Sequence, residues 1–458
     1  MNKNILYKKE TVYKRADKLT VESAFAYAEG YKKFLDAAKT EREAVKTVIT
    51  MLEAKDFREY KFGDKIKKGD RLYYNNRGKN LFIFTIGSDG VKDGLRIAAS
   101  HIDAPRIDLK QCPLYEDVGM AFFKTHYYGG IRKYQWVATP LALHGVVITK
   151  DGNTIDVCIG EKDEDPVFYI SDLLPHLGRE QAKLPLSEAI KGEQLNVLVG
   201  NMPEEEEDSV KNAVMTLING KYGITEDDFF SSELCVVPAA KARDVGFDRS
   251  LIGSYGHDDR VCAYPSLTAL FDSIDTDCSH SLMCILADKE ETGSDGVSGM
   301  QSDLILDIIN AIADAFGMSP ALLRAKSKCL SADVSAGFDP TFPEVFEKMN
   351  SAFVGCGTIF TKYTGSGGKG STNDANPEFI AWLRAAMEKD GVIWQSAELG
   401  KVDAGGGGTV AKYIAKHNIE TIDLGVPVIA MHSPYEVVSK VDVYETHKAI
   451  KAFYNFDR

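Results

Sequence analysis

The sequence predicts an α/β protein in which a β-rich segment interrupts one larger domain. A chain of 458 residues is too long for one small hydrophobic core, so two domains are expected. After residue 243, strand patterns alternate with helix patterns, which is typical of a sheet covered by helices on both faces. From about 113 to 242 the pattern is one of strands and turns. The predicted boundaries are therefore 1–112 and 243–458 for the α/β domain and 113–242 for the insertion.

Hydrophobic periodicity and turn residues predict the elements of the α/β domain. Residues 20–56 place apolar side chains at steps of three and four, which predicts helix. Three strand patterns follow, namely RLYYNNRG, KNLFIFTIG and GLRIAASHID. In the second part of the domain, helices are predicted near 301–316, 377–389 and 409–416, and the strands between and around them are HSLMCILAD, KCLSADVS, GTIFTKY, VIWQSAE and TIDLGVPVIAMH.

Composition narrows the class of protein. A net charge of −13 without a basic tract argues against nucleic-acid binding. The eight cysteines are scattered and form no CxxC pair, which is typical of buried thiols in a reducing compartment. The N-terminal residues lack the apolar core of a signal peptide, and no run of about 18 apolar residues could span a membrane. We therefore expect a cytoplasmic protein that binds neither nucleic acid nor membrane.

Five polar motifs share one kind of location, because each begins where an apolar strand pattern ends. In open α/β sheets, the carboxyl ends of the strands form the crevice where ligands bind. Five such motifs could therefore converge on one point. They are His101 with Asp103, Asp258 with Asp259, Glu290 with Glu291, Asp333, and His432.

Each motif alone has an ordinary structural explanation. An aspartate at a strand end is usually a helix cap or a turn former, and a histidine after an apolar run is more often a core residue than a ligand. Such explanations would have to hold five times, and none accounts for the shared chemistry. Histidines and carboxylates without cysteine suit zinc, manganese or cobalt. Their number exceeds what one catalytic ion takes and fits two ions that share a carboxylate.

His101 and Asp103 are spaced so that one could orient the other. In an extended segment, residues i and i+2 lie on the same face, so Asp103 can receive the spare ring N–H of His101 or steady the ring from nearby. Such a contact fixes the tautomer that presents the other ring nitrogen to a metal. The same spacing also occurs where a strand simply runs into a loop.

The motifs SHIDAP, GHDDR, DKEETGS, SADVS and AMHSPYE, together with YYGGIRKYQWVATPLALHG, resemble the M18 family of metallopeptidases, the aspartyl aminopeptidase family. The resemblance covers essentially the whole chain. It implies a metallo-exopeptidase with a mixed-sheet, phosphorylase/hydrolase-like catalytic domain and an inserted β-rich dimerisation domain. It further implies a hydrolase that removes N-terminal residues from peptides with two divalent ions per subunit, zinc first and manganese or cobalt as alternatives.

The resemblance also assigns roles to residues at matching positions. His101, Asp258 and Asp333 would hold one ion, and Asp258 would bridge to a second ion held by Glu291 and His432. Glu290 would be the general base that removes a proton from the attacking water, and Asp103 would assist at the catalytic centre.

Oligomeric assembly is a further expectation from the resemblance. The family forms homo-oligomers in which dimers assemble into dodecamers, and a histidine of the inserted domain reaches the active site of a neighbouring subunit. The matching residue in ISDLLPHLGRE is His176. Its plain alternative is a helix-end histidine with no catalytic role.

The sequence departs from the family pattern in three places. The motif GHDDR carries a second acid, Asp259, so either aspartate could be the bridging one. SADVSAGFDP lacks the histidine that often follows the metal-binding aspartate. The segment KYTGSGGKGSTNDANPE is rebuilt around glycines, so a preference for acidic N-terminal residues is open. Lys362 or Lys369 could pair with a substrate carboxylate or remain solvated loop charges. Gly406, within the tetraglycine 405–408, allows either close approach of substrate or a flexible turn.

Other functions remain as alternatives. Gly365, Gly367 and Gly370 satisfy GxGxxG, but the predicted helix starts only at Pro377, whereas a dinucleotide-binding loop has its third glycine in the first helical turn. A metal-dependent hydrolase of another small amide and an inactive scaffold with the same fold are the other two alternatives.

Overall fold

The computed structural model of the protein describes residues 5–204, 209–276 and 278–457. The chain divides into two compact units. The first comprises Met1–Asp103, Ala242–Met431 and Glu436–Arg458, and the second comprises Ala104–Lys241 and His432–Tyr435. The second unit begins before the predicted residue 113, because the strand Arg106–Asp117 pairs within the sheet of that unit. Its four-residue segment near the C-terminus was not predicted.

Strands and α-helices are numbered here in chain order over the described residues. The strands are β1 (Arg58–Glu59), β2 (Arg71–Asn76), β3 (Asn80–Thr85), β4 (Leu95–His101), β5 (Arg106–Asp117), β6 (Met120–Tyr128), β7 (Leu141–Ile148), β8 (Thr154–Ile159), β9 (Tyr169–Ile170), β10 (Val197–Gly200), β11 (Ser232–Pro238), β12 (Arg243–Val245), β13 (Leu251–Ser254), β14 (Ser281–Ala287), β15 (Lys328–Ala332), β16 (Ser335–Ala336), β17 (Thr358–Thr361), β18 (Trp394–Ser396), β19 (Glu420–Gly425), β20 (Pro427–Ile429) and β21 (Glu436–Ser439). The α-helices are α1 (Val12–Arg15), α2 (Lys18–Ala37), α3 (Glu41–Glu53), α4 (Leu186–Ala189), α5 (Val210–Tyr222), α6 (His257–Asp275), α7 (Leu304–Ala315), α8 (Pro320–Lys326), α9 (Pro377–Lys389), α10 (Ala411–Ala415) and α11 (Lys440–Asn455).

The first unit is built on a mixed sheet of nine strands in the order β1-β2-β3-β14-β4-β15-β19-β17-β18. Its four central strands, β14, β4, β15 and β19, are parallel, so their carboxyl ends meet at one edge. Successive residues of β4 face opposite sides of the sheet: Ala98 packs with α6 and α11, whereas Ile97 and Ala99 pack with α7. Both faces of the sheet are therefore covered by helices, as the alternating pattern predicts. A smaller sheet in the order β12-β13-β21-β20-β16 belongs to the same unit.

The helix predicted over residues 20–56 is two helices, α2 and α3, separated at residues 38–40. A capping box starts α3: the Glu43 N–H donates to Thr40 Oγ1 (3.2 Å), and the Thr40 N–H donates to Glu43 Oε2 (3.0 Å). The Thr-x-x-Glu signature of this cap is present in the sequence. The helix predicted over 409–416 is also shorter, since α10 covers only Ala411–Ala415.

The second unit contains a seven-stranded sheet in the order β8-β7-β11-β5-β6-β10-β9. All of its recorded strand pairs are antiparallel. Helix α5 buries Val210 and Val214.

No single helix in the described parts of the chain combines the length and apolar character needed to cross a bilayer. The pair α7 and α8, bent by 107°, meets those criteria only when taken together.

Candidate metal centre

Two of the predicted ligands leave the sheet of the first unit at neighbouring strand ends. His101 is the last residue of β4, and Asp333 follows β15, which pairs with β4 in parallel register. The Asp333 N–H donates to the Leu424 carbonyl of β19 (3.1 Å), which fixes its backbone at this edge. His101 Nε2 lies 3.9 Å from Asp333 Oδ1. The parallel topology therefore brings together two side chains that are far apart in sequence.

Asp258 joins them from the irregular first turn of α6. Its backbone angles (φ −79°, ψ 105°) are not helical, so its side chain leaves the chain before the regular helix begins. The Asp258 N–H donates to Glu436 Oε2 (3.1 Å), and Asp258 Oδ1 lies 3.1 Å from His101 Nε2. The neighbouring acid, Asp259, instead accepts the backbone N–H of His101 at its Oδ2 (3.3 Å). Of the two aspartates in GHDDR, Asp258 is thus the one that faces the imidazole ring.

His101, Asp258 and Asp333 together have the spacing of ligands around one small ion. One donor atom from each lies within 4.8 Å of the others. Ligands about 2.0–2.1 Å from a tetrahedral zinc ion are about 3.3 Å apart. The separations of 3.1 and 3.9 Å from His101 Nε2 are close to that value. Imidazole nitrogen and carboxylate oxygen are both donors that zinc accepts, and three protein ligands leave a fourth position open, as at catalytic zinc sites.

The adjacent glutamates sit in a tight turn after β14. Lys289 has left-handed backbone angles (φ 69°), and a short 3-10 turn covers Glu290–Thr292. Asp103 holds this turn: its Oδ1 accepts the Glu290 N–H and its Oδ2 accepts the Glu291 N–H, each at 3.2 Å. Because the two residues are no longer in a strand, they need not alternate between two faces of the sheet.

The two glutamates approach different partners. Glu290 Oε2 lies 3.9 Å from His101 Nε2, and the Glu290 side chain is 16% exposed, so water can reach it. One carboxylate oxygen of Glu291 lies within 4.8 Å of one of Asp258. Asp258 is therefore near both His101 and Glu291, which is the position that a bridging carboxylate would occupy.

Asp103 contacts His101 chiefly through its backbone. His101 Nδ1 is 3.0 Å from the Asp103 carbonyl oxygen and 3.4 Å from Asp103 Oδ1. Donation of the Nδ1 proton to this carbonyl places the lone pair on Nε2, the nitrogen that faces Asp258 and Asp333. The sequence predicts the contact between the two residues, whereas the role of the carbonyl group emerges only from the structure.

The electrostatics of the cluster favour a bound cation. Burial, and then the negative charge of Asp259, raise the pKa of Asp333 well above its usual value. Burial also raises the pKa of Asp259. At His101 burial disfavours the charged ring, but hydrogen bonds to Asp103 and Asp258 and the charges of Asp333 and Glu290 outweigh it and raise the pKa. One imidazolium cannot balance these carboxylates, whereas divalent cations can.

His432 belongs to the short segment that clusters with the second unit. Its Nδ1 is 2.8 Å from the Gly130 carbonyl, and a Cβ on Gly130 would lie 3.3 Å from the same nitrogen. Glycine at this position therefore permits the ring to approach closely. Donation from Nδ1 to this carbonyl would leave the lone pair on Nε2, the arrangement expected of a metal-binding histidine.

The loop residues predicted to bind substrate have partners within the first unit. Lys362 forms an ion pair with Asp374, and Lys369 Nζ lies 3.0 Å from the other oxygen of the same carboxylate. The Lys369 ammonium also lies 3.7 Å from the centre of the Tyr363 ring. Both lysines therefore already form ion pairs with Asp374.

Close packing against the backbone of another loop requires glycine at position 406. Its φ is +119°, and a Cβ there would lie 2.5 Å from the Gly365 carbonyl oxygen. The tetraglycine and the glycine-rich loop near 365 are thus in close backbone contact. Helix α9 begins at Pro377, several residues after Gly370, so the loop lacks the geometry of a dinucleotide-binding turn.

His176 is exposed on the second unit, in a turn with several exposed apolar side chains. Leu173, Leu174 and Leu177 are 51%, 49% and 70% exposed. None of these residues belongs to the unit that carries His101, Asp258 and Asp333.

The sequence assigns no role to Glu436, and Arg260 is noted only as a departure from the family pattern in GHDDR. Glu436 is buried and accepts the Asp258 N–H, and Arg260 is buried and donates to two backbone carbonyls. Both lie inside the motifs AMHSPYE and GHDDR. Their charge inside these motifs was the only available signal, and it does not indicate which backbone groups they bind.

One protein family and its curated relatives match nearly the whole chain. The family described as "Aminopeptidase I zinc metalloprotease (M18)" matches residues 34–454. The chain is 47% identical over 466 residues to "Probable M18 family aminopeptidase 1" of Clostridium acetobutylicum, covering 99% of this chain and 100% of that relative.

Solved structures of aminopeptidases have a similar overall fold. The M18 aminopeptidase of Thermotoga maritima superposes with a TM-score of 0.93 at 42% identity, covering 98% of this chain and 100% of that one. Aminopeptidase I of C. acetobutylicum gives 0.91 at 44% identity, covering 99% and 100%. The mApe1 dodecamer of S. cerevisiae gives 0.76 at 19% identity, covering 93% and 96%, which supports the fold alone.

Proposed function

The chain belongs to the M18 family of zinc metallopeptidases and is a metal-dependent aminopeptidase, and on this premise we propose that it works with two divalent ions and with Glu290 as general base. His101, Asp258 and Asp333 would hold one ion. Asp258 and Glu291, with His432 as the family resemblance implies, would hold the other. The observation that carries the proposal is the convergence of His101, Asp258 and Asp333 on one point at the strand ends.

The reaction is hydrolysis of the first peptide bond of a peptide. When bound, the divalent ions, zinc in this proposal, supply Lewis acidity at the scissile carbonyl and lower the pKa of the attacking water. Glu290 accepts a proton from that water while the water oxygen bonds to the carbonyl carbon. Glu290 then returns the proton to the amine nitrogen as the C–N bond breaks. Asp103 keeps Glu290 in place through the backbone of the Glu290–Thr292 turn.

The preference for acidic N-terminal residues would rest on Lys362 and Lys369. Both ammonium groups already engage Asp374. A substrate carboxylate would have to compete with Asp374 for them, and exposed ion pairs contribute only about 0.2–1 kcal/mol. We therefore expect a modest preference for N-terminal Asp or Glu, of a few-fold.

Self-association is also part of the proposal. The exposed leucines around His176 form an apolar surface on the second unit, and such surfaces are typical of protein interfaces. A second copy of the chain would cover it, with His176 contributing to a neighbouring site as the resemblance implies. Light scattering after gel filtration should give a mass of several subunits. A monomer at micromolar concentration would contradict this part of the proposal.

A panel of aminoacyl substrates tests the function. Substrates with a free α-amino group should be cleaved, and their N-acetylated forms should not. Complete removal of metal with a chelator should abolish activity, and added zinc, manganese or cobalt should restore it. Equal cleavage of acetylated substrates, or full activity after complete chelation, would contradict the proposal.

A further inference from the structure

We propose that Asp259 and Arg260 form a buried clamp that fixes the strand end bearing His101 against the turn bearing Asp258, and so sets the affinity and geometry of the metal site. The inference rests on the proposed metal-binding function and adds two positioning residues to it. Neither side chain is assigned a role as ligand or base. Their part is to hold the backbone from which the ligands project.

The Asp259 side chain binds the backbone amide of His101, the last residue of β4. This side chain is fully buried (0% exposed), and its Oδ2 accepts the backbone N–H of His101 at 3.3 Å. Asp259 is not among the donor groups that converge within ligand distance, which include His101, Asp258 and Asp333. A carboxylate next to the ligand Asp258 is thus bound to the backbone of the ligand His101. This contact ties together two motifs that lie 158 positions apart.

The Arg260 side chain binds the backbone carbonyl of Ile102, the residue that follows β4. It is 1% exposed, and its Nη2 donates to the Ile102 carbonyl at 3.1 Å and to the Lys39 carbonyl at 3.0 Å. Its guanidinium carbon lies 5.6 Å from the centre of the Tyr255 ring. Buried arginine is expensive to desolvate, so a buried arginine with two backbone acceptors indicates that this position needs both contacts.

The break between α2 and α3 supplies one of the two acceptors. Residue 39 lies between Ala37, where α2 ends, and Glu41, where α3 begins. Its carbonyl is therefore outside the regular hydrogen bonding of either helix and can accept from Arg260. A continuous helix over these residues would have engaged that carbonyl internally.

The neighbouring strand also holds the end of β4. The Ile102 N–H donates to the Ala287 carbonyl of β14 at 2.9 Å. Residues 101 and 102 thus make backbone hydrogen bonds to β14 and also to the side chains of Asp259 and Arg260. His101 Nε2 lies 3.1 Å from Asp258 Oδ1. Groups that orient metal ligands typically change metal affinity about 10–100-fold when removed.

The experiment compares Arg260→Met with a matched control, Arg96→Met. Arg96 is also mostly buried and also donates to two backbone carbonyls, those of Phe453 (3.2 Å) and Tyr454 (2.7 Å), but it lies near the start of β4, whereas His101 is the last residue of that strand. Zinc affinity of the metal-free full-length proteins is measured by competition with a chromophoric chelator. Ligand geometry is read from the visible absorption spectrum of the cobalt-loaded proteins.

Arg260→Met should still bind two ions but about 10–100-fold more weakly, with an altered cobalt spectrum. Arg96→Met should match the wild type in both measurements, and Arg260→Lys should recover part of the affinity. Zinc affinity and cobalt spectrum at wild-type values in Arg260→Met would overturn the proposal. If Arg260→Met does not fold, Asp259→Ala and Arg260→Lys provide the same comparison.

Two outcomes separate this inference from the function on which it rests. Loss of one whole equivalent of metal in Asp259→Asn would make Asp259 a ligand and overturn its positioning role. Failure of the wild-type protein itself to bind divalent ions would instead overturn the proposed function.

Discussion

Two groups of charged residues in the first unit have opposite electrostatic character. At the strand ends, the buried carboxylates around His101 repel one another, and the pKa of Asp333 is raised by burial and by Asp259. In the glycine-rich loop, the Asp374 carboxylate accepts hydrogen bonds from Lys362 and Lys369. Both bonds lower the pKa of Asp374, and the bond from Lys362 has the larger effect. Those three side chains are 43–45% exposed. The loop therefore balances its charges internally, whereas the strand-end cluster does not.

The contrast shows where the protein depends on something outside its own chain. Charge that is exposed and paired contributes little and needs no ligand. Charge that is buried and mostly of one sign is costly unless a cation accompanies it. The strand-end cluster is hence the part of the molecule whose stability and activity should respond most to divalent metal.

The largest expected effect is that of Glu290→Gln. Removing the general base should lower kcat about 10²–10⁴-fold, while the metal content stays that of the wild type. Glu291→Gln is the matched control, because it changes the neighbouring carboxylate and should lower the metal content. Steady-state kinetics with elemental analysis of both variants makes the distinction. Wild-type kcat in Glu290→Gln would exclude this residue as the base.

A buried acid away from the cluster tests whether burial alone raises a pKa in this unit. Asp423 on β19 pairs in register with Ser331 of β15. Burial raises the pKa of Asp423 to about 6, against the opposing effect of the hydroxyls of Thr409 and Ser331. The folded state therefore holds this proton more tightly than the unfolded state. The free energy of unfolding should fall as pH rises from about 4 to about 6 and stay lower above that range.

Asp423→Asn should remove this cost. The variant should be more stable than the wild type by about 1–3 kcal/mol at pH 7.5, with the gain absent near pH 4. Urea unfolding of the metal-free proteins at the two pH values provides the measurement. An equal change at both pH values would show that the effect does not arise from ionisation of Asp423.

A smaller effect is expected when the internal charge balance of the loop is broken. Asp374→Asn would release Lys362 and Lys369 from their shared partner. The ratio of kcat/KM for N-terminal Glu over N-terminal Leu should then rise about 1.4–5-fold, the fold-change that corresponds to the 0.2–1 kcal/mol of an exposed ion pair. Lys362→Met combined with Lys369→Met is the opposing variant and should lower that ratio. An unchanged ratio in both would place these lysines outside the substrate site.

The sequence predicts the strand-end cluster well, because parallel strands bring their carboxyl ends to one edge regardless of what lies between. His101 and Asp333 therefore could be expected near each other from local pattern alone. Residues 20–56 were predicted as helical without the break at 38–40, although Thr40 and Glu43, which form the cap of α3, are visible in the sequence. The start of the second unit at Ala104 depends on which strands pair, and local pattern does not specify this.

Contacts between side chains and the backbone could not be predicted, since nearly every residue carries the same backbone carbonyl and amide groups. Arg260 and Asp259 bind a backbone carbonyl and a backbone amide, which carry no sequence signature. The engagement of Lys362 and Lys369 by Asp374 depends on the path of a glycine-rich loop, and glycine allows many paths.

Metal stoichiometry tests the central claim most directly. Metal-free protein is equilibrated with buffered zinc, and bound zinc per chain is determined by mass spectrometry for the wild type, Asp333→Asn, Glu291→Gln and Asp374→Asn. We expect about two equivalents in the wild type and in Asp374→Asn, whose charge lies in the balanced loop, and about one in each of the other two variants. One equivalent or fewer in the wild type, or two equivalents in all four proteins, would contradict the account.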